Sequence, residues 1–148
     1  MGERAEVALC RTERVKKRPA EASNMNEFYG ATGRGMASVN SLLKLSATGR
    51  EQDWEFELAD PERLSEMLDL LDGGALDAEG ADALALLLIA SMELAKEQEI
   101  VASEVIARSK KWFSENPGTR SKMIFYWIGM RKTLFPDLLG GILGEFEK

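Results

Sequence analysis

Asp82-Ala83-Leu84-Ala85-Leu86-Leu87-Leu88-Ile89-Ala90-Ser91-Met92-Glu93 is the stretch that decides how this chain folds. Its uncharged run, Ala83 to Met92, is closed by a carboxylate at each end. A helix that crosses a bilayer needs about 20 such residues, so the run is too short to be a span. Wound at the helical period it has leucines on every side, whereas a surface helix shows a single apolar stripe. The pattern predicts a helix enclosed by the rest of the protein, with Leu87 and Leu88 near its centre. Asp77 is placed to cap it, and it is predicted to run to about Ala95.

Upstream, Asp60 reads as an N-cap and Pro61 as a first helical residue. Leu64, Met67, Leu68 and Leu71 then form one apolar stripe, and Gly73-Gly74 ends the helix. Before it, Trp54-Glu55-Phe56-Glu57-Leu58 alternates apolar and acidic residues with period two. That alternation predicts a strand with Trp54, Phe56 and Leu58 inward and Glu55 and Glu57 toward solvent. Val39 to Ser46 supplies a first strand across the turn signal Thr48-Gly49-Arg50, although Met36 to Ala47 also reads as helix. Tyr29 to Gly35, rich in glycine, is predicted to be a loop. Its glycines have neither the Walker spacing nor the preceding strand of a dinucleotide fingerprint.

Met1 to Asn24 has few large apolar residues and carries Arg14, Lys16, Lys17 and Arg18, and Met25 reads as well as a start as Met1 does. The segment is predicted to be a flexible basic tail, a solvated arm in preference to a nucleic-acid or targeting patch, ahead of a single mainly helical domain over 25–148. No secretory signal is expected, because Met1 to Arg14 form no apolar h-region.

Downstream, Ile100, Val101, Val105, Ile106, Trp112 and Phe113 recur at helical steps until Asn116-Pro117-Gly118 breaks the pattern. Met123, Ile124, Trp127, Ile128, Met130 and Leu134 mark a further helix opening near Thr119. A short last helix follows Phe135-Pro136-Asp137. Trp112, Phe113, Phe125, Tyr126 and Trp127 read as core, with the Tyr126 hydroxyl the one most exposed. The fold class that emerges is mainly α, formally α+β: about five helices in antiparallel hairpins with a small N-terminal β-hairpin.

The composition bounds the chemistry. The 148 residues contain no histidine and a single cysteine, Cys10. This removes the commonest general base, the Ser-His and Cys-His pairs and the usual zinc ligands. With no disulfide to form, the chain is expected in the cytoplasm. Carboxylate pairs such as Glu55/Glu57 and Glu62/Glu66 abound, but no pattern marks one of them as a buried acid of raised pKa. No catalytic residue, metal site or cofactor is expected.

Charge is the informative signal. Residues 1–50 carry 9 basic and 5 acidic side chains, and residues 100–148 carry 8 and 5. Residues 51–99 carry 15 acidic side chains against Arg63 and Lys96 alone. This block either attracts a cationic partner, keeps the chain soluble, or faces the protein's own Arg108, Lys110, Lys111, Arg131 and Lys132. Glu55 and Glu57 on the expected strand, with Glu62, Glu66 and Asp69 along the next helix, are the candidate partner-binding residues.

Three function classes follow. The first is a non-enzymatic acidic inhibitor that occludes a basic, nucleic-acid-acting protein without touching nucleic acid or membrane itself. Bacterial immunity proteins share its size and charge, an analogy that no motif carries. The second is a helical adaptor or assembly subunit docking through apolar surface such as Leu138-Leu139, Ile142-Leu143 and Phe146. The third is a carboxylate-based enzyme.

Overall fold

The computed structural model describes residues 27–130 and 135–144. The expected tail over 1–24, Arg131, Lys132, Leu134 and Phe146 lie outside them. Among the described residues the chain forms seven α-helices, one 3-10 turn, one π-helical segment and no strand.

The leucine-rich stretch forms α4, Ala78–Glu97, 20 residues and roughly 30 Å long. Asp77 caps it, its carboxylate accepting from the Gly80 amide at 2.9 Å. Every residue from Asp82 to Met92 is buried, and Leu87 and Leu88 are fully enclosed. Five other helices close around it. They are α1 (Gly33–Leu43), α2 (Trp54–Glu57), α3 (Leu64–Gly73), α6 (Pro117–Met123) and α7 (Pro136–Leu143). α5, Ser103–Glu115, packs on α3, α6 and α7 and completes the shell.

The polar side chains on α4 are matched from outside. Ser91 accepts from the Asp60 amide at 3.0 Å, fixing the entry to α3. Asp82 accepts from Thr119 at 2.8 Å and from Lys122 at 2.7 Å, so its buried charge is paired and hydrogen-bonded by α6. Asp60 caps the 3-10 turn Pro61–Arg63 that leads into α3, and Leu64, Met67, Leu68 and Leu71 are the buried stripe. Gly74 ends α3 in the left-handed region at φ 68°.

The expected hairpin does not form. Val39 and Leu43 belong to α1, the helical alternative for that stretch, which packs along α4. Its first turn includes Gly33 to Gly35, so the expected loop is shorter than the glycines suggested. Thr32 caps the helix, accepting from the Gly35 amide at 3.0 Å. Trp54–Glu57 is one helical turn, held by local bonds that outweigh five residues of alternation. The Asp53 carbonyl accepts from Phe56 and Glu57, and the Glu57 carboxylate reaches back to the Gln52 and Asp53 amides, each at 3.1 Å.

Candidate functional site

The change of period from strand to helix reverses which side chains of α2 face the core. Trp54 and Glu55 turn inward, while Phe56 and Glu57 turn outward. Trp54 is anchored by its indole, which donates to Asn40 of α1 at 3.0 Å. Glu55, expected on the solvent face, is buried at 6% exposure and accepts a hydrogen bond from the Tyr126 hydroxyl. It is therefore not available at a binding surface in this structure. Tyr126, expected to turn its hydroxyl outward, is buried as well. It belongs to the π-helical segment Ile124–Met130 that continues α6. There the hydrogen bonds span five residues, so an α-helical projection misplaces each successive side chain. Trp112, Phe113 and Trp127 are buried as expected, and Phe125 is half-buried.

The other four predicted contact residues are exposed but differ in their partners. Glu66 is forked to Arg63 at 2.8 and 2.9 Å, and the same guanidinium donates to the Leu43 carbonyl at 2.6 Å. Those Arg63 hydrogen bonds hold the Glu66 carboxyl below the usual glutamate range. Asp69 and Asp72 share Arg108 of α5 at 3.0 and 2.9 Å, and their hydrogen bonds raise the guanidinium pKa. Glu57 and Glu62 make no ion pair among the described residues. Part of the acidic block is thus spent within the protein, on Arg63, Arg108, Lys122 and, through Asp77, Arg34 at 3.4 Å.

One surface feature combines apolar and acidic side chains. A groove of about 200 Å³ runs between α2 and the C-terminal half of α4. Phe56, Ala59, Ala90, Leu94 and Phe135 give it apolar walls, and Glu93 and Glu97 contribute two carboxylates one helical turn apart. Phe56 is 42% exposed, yet its ring is fixed edge-on against the buried Trp127, with centroids 5.5 Å apart. Ala90, Glu93, Leu94 and Glu97 follow the three-to-four-residue steps of one helix face, a signal present in the sequence. Phe56 was hidden by the strand reading.

Among the described residues no group of three or more Asp, Glu or Cys side chains is placed to hold a metal ion. No helix there is long and apolar enough to cross a membrane. The chain matches no protein-family model, no curated protein and no solved structure.

Proposed function

We propose that the chain is a non-enzymatic binding protein whose acidic surface occludes a cationic protein partner, as an acidic inhibitor or immunity-type protein would. The observation that carries the reading is the remainder left after internal pairing. Glu57, Glu62, Glu97 and Glu99 are exposed and form no ion pair among the described residues. They lie at the end of α2, in the 3-10 turn before α3, at the end of α4 and just beyond it, all within the block that carries 15 acidic residues. Uncompensated charge of one sign speeds encounter with the opposite sign and repels nucleic acid. The reading requires no cofactor and places the protein in the cytoplasm. A helical adaptor is the second reading, favoured by the apolar walls of the groove.

The test is capture from native lysate at low and high salt, then surface plasmon resonance with the purified partner. The chain is compared with a variant carrying Glu57→Gln, which removes the charge but keeps an acceptor oxygen for the Gln52 and Asp53 amides, together with Glu62→Lys and Glu99→Lys. Association should slow steeply above about 0.15 M salt, where the Debye length falls below about 8 Å. The variant should lose most of its on-rate. A partner bound equally by both proteins at all salt concentrations overturns the electrostatic reading and leaves the adaptor.

A further inference from the structure

We propose that the groove between α2 and α4 receives one large apolar side chain from a cationic amphipathic helix of the partner. This inference rests on the cationic-partner reading and specifies how that partner is held.

The cavity, about 200 Å³, is smaller than the roughly 300–1,000 Å³ of small-molecule sites and suits a single anchoring side chain. Its apolar walls reward such an anchor. The Phe56 ring already packs edge-on against Trp127, a contact that offsets part of the cost of ordering it on binding. Glu97 lines the cavity from α4 and Glu57 follows Phe56 directly on α2, both exposed and without an ion pair among the described residues. A helix with lysine or arginine beside an apolar anchor matches that arrangement.

The shape of the wall also selects the occupant. α4 presents side-chain ridges at three-to-four-residue steps, which accept the ridges of another helix. The described residues offer no sheet edge to which an extended peptide could add a strand. A second copy of the chain is a poor occupant. It carries the same net charge of −6 and so lacks the cationic complement this groove attracts.

The probe is a fluorescein-labelled peptide of about 15 residues, roughly four helical turns, with leucine on one face and lysine on the other. Two controls accompany it: the same leucine face with glutamate in place of lysine, and the same lysines with serine in place of leucine. Anisotropy is measured with the full chain, with Phe56→Ala, with Glu97→Lys and with the triple variant above. Amide shifts in heteronuclear NMR locate the bound peptide.

The leucine–lysine peptide should bind, both controls should bind at least about tenfold more weakly, and each groove substitution should weaken binding about fivefold or more. Shifts should centre on Ala59, Ala90 and Leu94. Glu97 is exposed, so its substitution tests the groove without disturbing the core. Absence of binding, or shifts centred elsewhere, overturns the proposal. Binding that weakens in the triple variant but not in either groove variant also overturns it, while leaving the cationic-partner reading intact.

Discussion

Replacing Gly35 with alanine tests the placement of α1, on which the geometry of α2 depends. The two effects of this change have opposite signs. Alanine is favoured over glycine within a helix by roughly 0.5–1 kcal/mol. Against that, a Cβ at position 35 would lie 2.5 Å from the Glu79 carbonyl oxygen and 3.2 Å from the Ala83 Cβ. Neither neighbour can swing away. One is backbone of the central helix, and the other is fully buried on it. Relief requires α1 to move off α4 by several tenths of an ångström, and overpacking of this kind costs typically about 1–3 kcal/mol. The clash wins, and the expected net loss is about 1–2 kcal/mol. For a domain of this size that lowers the thermal midpoint by roughly 3–8 °C. Gly33→Ala is the matched control, because it lies in the same helical turn with nothing within 4 Å of its Cβ. It should be neutral or stabilising by about 0.5 kcal/mol. Thermal and urea denaturation followed by circular dichroism read both variants. If Gly35→Ala is as stable as Gly33→Ala, α1 does not approach Glu79 as described. The packing that brings Asn40 to Trp54, and so orients α2, would then be wrong as well.

Leu88→Ala removes a fully enclosed side chain at the centre of α4 and should cost about 2–5 kcal/mol in urea denaturation; a loss within about 0.5 kcal/mol, as at a surface site, would contradict the central placement. Tyr126→Phe withdraws a hydrogen bond from the buried Glu55 carboxylate and should cost about 1–3 kcal/mol, with Glu55→Gln as the milder change because an acceptor oxygen remains. For Glu66, NMR titration should find the carboxyl below the usual glutamate range, and Arg63→Ala should return it to that range. Because the folded pKa is depressed, this stabilising contribution is present above the unfolded pKa and disappears as pH falls through the folded value.

The parts of the fold that could be read in advance are those where one local rule points one way. Asp77 ahead of an uninterrupted leucine run, and Asp60-Pro61 ahead of a stripe ending in Gly73-Gly74, combine capping chemistry with period, and both helices form where that combination lies. The misread segments are those where two periods compete over a few residues. Trp54 to Leu58 is too short for alternation to outweigh the bonds that the Glu57 carboxylate makes to the Gln52 and Asp53 amides. Tyr126 falls in a π-helical segment, a geometry that an α-helical projection does not anticipate.

The first of these misreadings bears directly on function, because period decides which side chains reach solvent. A strand over 54–58 presents Glu55 and Glu57 outward and buries Phe56, so it describes a purely electrostatic surface. The helical turn buries Glu55 beside Tyr126 and turns Phe56 out beside Glu57. An aromatic ring held against Trp127 then stands in a groove with Glu93 and Glu97, and the charged side chains around it can supply attraction at a distance. Long-range attraction of this kind mainly sets the on-rate, whereas desolvation of an apolar anchor mainly sets the off-rate. Under the proposed reading, Glu57→Gln with Glu62→Lys and Glu99→Lys should therefore act on association and its salt dependence, and Phe56→Ala on dissociation. Under the proposed reading, one four-residue turn gives the acidic face separable steering and anchoring parts.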